Sequence, residues 1–295
     1  MRVLVTGAAG MLGTDLRAVF AAAAQTDNLG IEVTAVNRKE LDITDPDEVG
    51  AIVPGHDLVV NCAAWTNVDL AETQEEQATA INGGAVRTLA EACARAGARL
   101  IQPSTDYVFP GDATEPIRED APTAPLNAYG RGKLVGEQAV LELLPDTGYV
   151  VRTAWLYGAH GPNFVATMLR LAGDRDTLDV VDDQLGQPTW TADLARQLLL
   201  LARAAQDGRA PAGLYHGTAA GRTSWHGLAQ AAFELAGLDP DRVKPTTSDK
   251  FVRPAKRPGY SVLGHEGWQR AGLEPMAQWR AQLEAAFRAG AFGAF

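Results

Sequence analysis

The stretch that decides the fold is "RVLVTGAAGMLG", residues 2–13. "RVLVT" is typical of a short buried strand, and Gly7, Gly10 and Gly13 follow it into a helical pattern that begins at Met11. In such a unit the first glycine makes the tight turn, the second lets a pyrophosphate approach the backbone, and the third permits close helix–strand packing. The glycine pattern alone also fits a plain strand-to-helix turn. Because it follows an N-terminal strand, we predict a dinucleotide-binding loop at the helix N-terminus.

Apolar runs alternate with helical patterns through the first half of the chain. Helices are predicted at 11–24, 46–52, 72–96 and 129–144, and the runs between them, such as "DLVVN", are almost continuously apolar. This alternation predicts an α/β fold, a doubly wound parallel Rossmann sheet with helices on both faces. We expect residues 1–150 to form this domain and 151–295 a smaller C-terminal α/β substrate domain. Later strands near 177–183 and 213–218 are candidates to return to the first sheet.

Composition narrows the classes of function. The chain has 295 residues, 46% of them hydrophobic, and a net charge of −10, which argues against a general nucleic-acid surface. Cys62 and Cys93 lack the paired spacing of a disulfide framework or a zinc site. No signal-peptide pattern and no run of about 18 apolar residues is present, so we expect a cytoplasmic protein that does not enter a membrane.

The end of the second predicted strand bears on the choice of cofactor. An acidic residue there binds the ribose of NAD, whereas a basic residue accepts the 2′-phosphate of NADP. The strand "IEVTAVN" is followed by Arg38 and Lys39, and a guanidinium suits a phosphate, so the sequence favours NADPH. Glu40 leaves NADH open, and the basic pair also fits ordinary solvated loop charges.

The stretch "NAYGRGKLVGEQAV", residues 127–140, places Tyr129 and Lys133 on one helix face. A phenol is a poor proton donor or acceptor near neutral pH, and a nearby ammonium lowers its pKa. The helix also contains Gly130, Gly132 and Gly136, although each interior glycine costs about 1 kcal/mol relative to alanine. We expect these glycines to keep the helix face bare where cofactor and neighbouring backbone approach closely.

The residues "STDY", 104–107, end another predicted strand, and the carboxyl ends of strands face the ligand crevice of a doubly wound sheet. A hydroxyl at this edge can polarise a carbonyl that gains negative charge. Taken singly, a tyrosine–lysine helix pair and a polar strand end are ordinary features. Together with the glycine loop they predict an active site.

Through "TGAAGMLG" and "YGRGK" the chain resembles the extended short-chain dehydrogenase/reductases. It is similar, more narrowly, to the dTDP-4-dehydrorhamnose reductase family through segments that span most of the chain in that family's order. These segments include "LDITDPDEV", "VVNCAAWTNVDLAE", "STDYVFPG", "RTAWLYG", "VVDDQLGQPTW" and "RPGYSVL". The resemblance implies a ketoreductase that uses NADPH to reduce C4 of dTDP-4-dehydro-L-rhamnose, with the proton coming from Tyr129.

The resemblance also implies roles for individual positions. The catalytic positions are Thr105, Tyr129 and Lys133. The cofactor positions are Gly7, Gly10, Met11, Leu12 and Gly13 at the pyrophosphate, Asp42 and Ile43 at the adenine, and Ala63 and Ala64 beside the cofactor. Positions near the deoxyhexose are Val68, Asp106, Tyr107 and Trp155, and those near the nucleotide half of the substrate are Gln187 and Arg257.

The sequence departs from the family's pattern in a few places. Gly132 replaces the usual Ser or Thr, and Pro103 replaces a residue with a backbone donor. Some family members form dimers through a magnesium site. Asp15 and Asp193 stand at two of its positions, but we assign no metal ligands and leave both Mg²⁺ and a homodimer open.

Three other functions fit the same residues. An epimerase or dehydratase would retain its cofactor tightly, and a reductase would act on another nucleotide-linked ketosugar. A non-catalytic subunit that senses dinucleotide need not keep the set of Thr105, Tyr129 and Lys133, so their presence favours catalysis.

Overall fold

The computed structural model describes residues 1–26 and 30–293. Its strands are β1 (Arg2–Thr6), β2 (Glu32–Val36), β3 (Leu58–Asn61), β4 (Arg99–Thr105), β5 (Gly148–Thr153), β6 (Leu156–Tyr157), β7 (Leu178–Val181), β8 (Leu185–Gly186), β9 (Thr189–Trp190), β10 (Gly213–His216), β11 (Thr223–Ser224) and β12 (Val243–Thr246). Its α-helices are α1 (Met11–Thr26), α2 (Pro46–Ile52), α3 (Val68–Ala71), α4 (Glu75–Thr79), α5 (Ala85–Ala96), α6 (Ala128–Leu143), α7 (Phe164–Asp174), α8 (Thr191–Gln206), α9 (Trp225–Leu235), α10 (Glu266–Arg270) and α11 (Trp279–Arg288). Among these helices, none combines the length and apolar character needed to cross a membrane.

Six of the described strands form one parallel sheet in the order β2-β1-β3-β4-β5-β10. Because side chains alternate along a strand, Val3 and Val5 pack on one face with Leu16 of α1, while Leu4 packs on the other with Leu89 of α5. Helices therefore cover both faces, and the prediction of a doubly wound Rossmann fold is confirmed.

The chain returns to this sheet after residue 150. β10 pairs with β5 in parallel, and Leu194 and Leu198 of α8 pack in the same core as Leu16. The expected return of the strand near 177–183 is not observed, because β7 pairs with β12 outside the main sheet. Val180 of β7 instead packs with Phe233 of α9.

The remaining strands form three small two-stranded sheets, β6–β9, β8–β11 and β7–β12, which pack with α7, α9 and α11. Leu169, Leu228 and Leu283 lie in the core of this part, which we call the small lobe. The chain passes between lobe and sheet more than once. A domain boundary near residue 150 stays a prediction.

The single helix predicted over 72–96 is wrong in detail. α4 and α5 are separated by a π-helical turn, Ala80–Gly84, and α3 precedes them as a separate short helix. Within the turn, Asn82 is buried and its side chain bonds the backbone N and O of Trp65 at 2.9 and 3.0 Å. Hydrophobic periodicity does not reveal this turn, because the turn changes the helical winding only locally.

Candidate active site

A cleft of about 990 Å³ lies at the carboxyl edge of the main sheet, between the sheet and the small lobe. The structure brings most of the predicted site residues to it. Those that line the cleft are Gly7, Gly10, Met11, Leu12, Gly13, Arg38, Asp42, Ile43, Ala63, Ala64, Val68, Thr105, Asp106, Tyr107, Tyr129, Lys133 and Trp155.

The glycine loop forms the floor of the cleft where α1 begins. Gly7 has a φ of 61°, and a Cβ there would lie 2.4 Å from the backbone N of Ala63. A Cβ on Gly13 would lie 2.4 Å from the backbone O of Gly7. Gly10 differs, since a Cβ there would meet only that same oxygen, at 3.3 Å, and its other surroundings are the cleft. Gly7 and Gly13 therefore serve packing, whereas Gly10 keeps the cleft open to a ligand.

The end of β2 presents a cation to the cleft. Arg38 is exposed and lines it, whereas the Glu40 carboxylate turns back to accept the backbone N–H of Asn37 at 2.9 Å. Asp42 accepts hydrogen bonds from the Thr44 hydroxyl and N–H, which with the nearby Arg38 hold its pKa below the usual value. Of the basic pair Arg38 and Lys39, it is therefore Arg38 that is placed to meet a ligand here.

The start of α6 is fixed by its cap. Asn127 accepts the N–H of Gly130 at 2.8 Å through its side chain, and its amide donates to the Lys256 carbonyl at 3.0 Å. On the neighbouring strand end, the Thr105 hydroxyl donates to Asp106 Oδ1 at 3.0 Å and accepts the N–H of Tyr107 at 3.1 Å. These bonds fix the positions of the strand end and of the helix start at one end of the cleft.

The glycines of α6 serve close packing against protein backbone. A Cβ on Gly130 would lie 2.2 Å from the Tyr107 carbonyl oxygen, and one on Gly136 would lie 2.3 Å from that of Asn82. A Cβ on Gly132 would lie 3.1 Å from the Thr79 hydroxyl. Backbone contact therefore explains Gly130 and Gly136, and Gly132 packs against Thr79. None of the three lines the cleft, as the expected cofactor-facing surface would.

Burial dominates the electrostatics of the site. It raises the pKa of Tyr129, as does the Asp106 carboxylate, while a hydrogen bond with Thr105 opposes the rise. This is the opposite of the lowering predicted from the sequence, because burial is the largest effect on the phenol; the Lys133 ammonium donates to the Pro103 carbonyl oxygen at 2.7 Å. Burial also lowers the pKa of Lys133 to about 8 and raises that of Asp106 to about 6.

Trp155 lies at the small-lobe side of the cleft in an unusual backbone conformation, with a φ of 48°. Its ring stacks on Trp225, with centroids 3.5 Å apart and planes at 7°. A Cβ on Gly186 would lie 2.5 Å from the same indole. The stacking on Trp225 and the close approach of the Gly186 backbone thus fix the orientation of this indole.

Two predicted substrate residues do not line the cleft. Gln187 is buried, and its side chain bonds the Leu263 backbone N and O at 2.8 and 3.1 Å and the Thr218 hydroxyl at 2.9 Å. The prediction that Gln187 contacts the substrate is therefore corrected. Its side chain has a structural role. Arg257 lies at the edge of the cleft, where it pairs with Asp69 at 3.1 Å and its guanidinium carbon lies 5.8 Å from the Tyr107 ring centroid.

The two aspartates considered for a metal site have other partners. Asp15 Oδ1 lies 3.7 Å from the His160 ring, and Asp193 pairs with Arg196. In the described part of the chain, no group of three or more His, Cys, Asp or Glu side chains is arranged to hold a metal ion.

Sequence reasoning missed several cleft residues. Asn61 ends β3 and Thr153 ends β5, so the strand-end rule that selected Thr105 would have found both. Trp225 carries no comparable signal, because its contact with Trp155 is made only by the tertiary fold.

Comparison with known proteins agrees with this geometry. The model of the RmlD substrate binding domain family matches residues 1–291. The chain is 57% identical over 290 residues to a dTDP-4-dehydrorhamnose reductase of Streptomyces griseus, covering 98% of this chain and 93% of the relative. The chain belongs to the dTDP-4-dehydrorhamnose reductase family. The family and the fold inferred from the sequence are thereby confirmed.

Two further relatives of this reductase family bear on substrate and cofactor. The chain is 51% identical over 288 residues to a dTDP-4-keto-6-deoxy-D-glucose reductase of Streptomyces niveus, with 97% of this chain and 96% of the relative covered. A crystal structure of the Bacillus anthracis dTDP-4-dehydrorhamnose reductase in complex with NADP is 36% identical, with a TM-score of 0.90. That match covers 98% of this chain and 99% of the other.

Proposed function

We propose that the protein reduces dTDP-4-dehydro-L-rhamnose to dTDP-L-rhamnose with NADPH. The observation that carries the proposal is that Thr105, Tyr129 and Lys133 meet in the cleft that the glycine loop opens, in a chain of this reductase family.

The residues present fit a dinucleotide. Gly10 leaves room at the N-terminus of α1, where backbone N–H groups and the helix dipole favour phosphate. Arg38 is placed for a 2′-phosphate, while Glu40 is engaged with Asn37, so NADPH is favoured over NADH. The Bacillus anthracis relative with NADP supports the same choice.

When bound, NADPH supplies the hydride that reaches C4 of the sugar. Tyr129 donates its phenolic proton to the former carbonyl oxygen, and its raised pKa keeps that proton in place at neutral pH until it is needed. The Thr105 hydroxyl polarises the carbonyl, and the Lys133 ammonium orients the ribose and offsets the charge of the tyrosinate. Gly7, Met11, Leu12, Gly13, Asp42, Ile43, Ala63 and Ala64 complete the proposed cofactor contacts.

The sugar end of the cleft suits a ligand with several hydroxyl groups. Within the described residues, Ser104 Oγ and Thr153 Oγ1 are buried and have no hydrogen-bond partner, and both residues line the cleft. Buried polar atoms need partners, which sugar hydroxyls supply. Trp155 is only partly buried, and the part of its indole that Trp225 leaves open offers apolar surface to the ring, with Val68 and Tyr107 also in the cleft lining. Arg257, beside the Tyr107 ring, is proposed for the nucleotide end.

The test is NADPH oxidation by the purified protein, with the 4-keto-6-deoxy sugar nucleotide supplied as its L-isomer and the product identified by NMR. We expect dTDP-L-rhamnose. Tyr129→Phe should lower turnover about 10²- to 10⁴-fold while leaving NADPH affinity nearly unchanged. Retained turnover in this variant would contradict the role of Tyr129.

A second candidate is reduction of the D-configured ketosugar, which the name of the Streptomyces niveus relative favours. The same assay without the epimerase that makes the L-isomer distinguishes the two. Oxidation of NADPH by the unepimerised sugar at the higher kcat/KM would select the second candidate. A homodimer and a cytoplasmic location stay predictions.

A further inference from the structure

A chain of buried hydrogen bonds crosses three strands and ends at the Lys133 ammonium. The Thr6 hydroxyl on β1 donates to Asn61 Oδ1 on β3 at 2.6 Å, and Asn61 Nδ2 donates to Gln102 Oε1 on β4 at 2.8 Å. Gln102 Nε2 donates to the Pro103 carbonyl at 2.9 Å, and Lys133 Nζ donates to the same oxygen at 2.7 Å. The side chains of one layer thus connect the strand of the glycine loop to the lysine.

The hydrogen-bond chain is largely buried, and its donors and acceptors are matched. Thr6, Asn61 and Gln102 are 1–2% exposed and Lys133 is 5% exposed. Each amide uses its oxygen as acceptor and its nitrogen as donor in the same direction, so a flipped amide would break two bonds at once.

The Pro103 carbonyl is the acceptor that both side chains share. Proline has no N–H, so this residue gives the site an acceptor and no backbone donor. An ammonium has three donors, and the bond to this carbonyl takes one of them, leaving two for a ligand. The position of the carbonyl therefore sets the direction of the remaining donors.

We propose that Gln102 is a positioning residue, which holds the Pro103 carbonyl and through it fixes the Lys133 ammonium for cofactor and catalysis. The proposal rests on the proposed function for the role of Lys133, and on the hydrogen-bond geometry for the rest.

Several charged or titratable groups face this ammonium. Glu137 lies one turn farther along α6 and is paired with Arg152, Cys62 follows β3, and both raise the pKa of Lys133 against the lowering by burial. Tyr129 and Asp106 line the same cleft. The carbonyl is a neutral dipole among these groups, and it stabilises the charged lysine.

The experiment compares Gln102→Met with a control, Gln197→Met. Gln197 is equally a buried glutamine whose amide donates to a backbone carbonyl, that of Glu274 at 2.9 Å, and it does not line the cleft. NADPH affinity by fluorescence and kcat/KM are measured from pH 6.5 to 9.5, together with the melting temperature.

For Gln102→Met we expect the basic limb of the pH profiles of NADPH affinity and of kcat/KM to move to lower pH by about one unit. The reason is that the charged lysine loses an organised acceptor. The loss of kcat/KM would then be about 2-fold at pH 7 and close to 10-fold at pH 9. Gln197→Met should lower the melting temperature without moving either limb. A Gln102→Met profile that matches the control overturns the proposal.

Gln102→Glu gives a second test that does not depend on the first variant's folding well. The carboxylate still accepts from Asn61 Nδ2 but cannot donate to the Pro103 carbonyl, and its negative charge near Lys133 favours the ammonium. The basic limb should therefore move to higher pH while kcat/KM on the plateau below it falls, because the carbonyl is no longer held. A wild-type plateau of kcat/KM overturns the proposal. If the wild-type protein binds NADPH but oxidises none with the sugar, the proposed function fails, while the shift in the binding profile still decides the role of Gln102.

Discussion

Gly136→Ala tests why the helix that carries Tyr129 and Lys133 contains so much glycine. In an isolated helix this change would stabilise by about 1 kcal/mol. Here the new Cβ would lie 2.3 Å from the Asn82 carbonyl oxygen and 3.3 Å from Val86 Cβ. Overpacking of a close contact costs about 1–3 kcal/mol, and a backbone atom cannot rotate away, so the upper end applies. The net result is a loss of about 2 kcal/mol in the free energy of unfolding.

The assay is urea unfolding followed by tryptophan fluorescence and circular dichroism. With a slope of about 3 kcal/mol/M, the midpoint should fall by about 0.7 M. The control is Gly50→Ala in α2, where a Cβ would meet nothing within 4 Å, and there the midpoint should rise slightly. A Gly136→Ala midpoint at or above wild type would refute the inference that backbone contact imposes the glycine.

Three further predictions follow from single contacts. Arg38→Ala should weaken NADPH binding about 10- to 100-fold and NADH binding little, whereas Lys39→Ala, which removes a charge outside the cleft lining, should change neither much in fluorescence titrations. Arg152→Met should cost about 3–5 kcal/mol in urea unfolding, since it strands the buried Glu137 carboxylate 2.7 Å away, and the double variant with Glu137→Leu should cost less than the sum of the two single changes. In the absence of ligand, the free energy of unfolding should rise by up to about 3 kcal/mol between about pH 8 and 10.5, because the unfolded chain binds more protons at Lys133 than the folded one does. Lys133→Met should lose this rise, which urea unfolding at pH 7.5 and 9.5 measures.

The local sequence pattern was sufficient to predict the sheet and most of the residues that line the cleft. The strand, glycine loop and helix from Arg2 onward fold as expected, and the strand-end rule places Thr105 beside the helix of Tyr129. The same rule also selects Asn61, which ends β3 and lines the cleft.

Other features depend on contacts between distant segments, which a periodic pattern does not encode. The stacking of Trp225 on Trp155 and the use of Gln187 by Leu263 and Thr218 are made only when the small lobe assembles. The pKa of Tyr129 is raised rather than lowered, because spacing on a helix reveals neither the burial of the phenol nor the bond of Lys133 to the Pro103 carbonyl. The π-helical turn at Asn82 similarly depends on a hydrogen bond with Trp65, which lies on another segment.

The late position of β10 in the sequence has a consequence for folding during synthesis. β5 is buried along its whole length, yet one of its edges stays open until residues 213–216 are made. α8, which covers α1, also arrives after residue 190. A nascent chain stopped near residue 150 would expose an unpaired apolar strand, which favours aggregation. The shortest fragment that completes this sheet therefore ends beyond His216, even though the glycine loop and the Tyr129–Lys133 pair are complete far earlier.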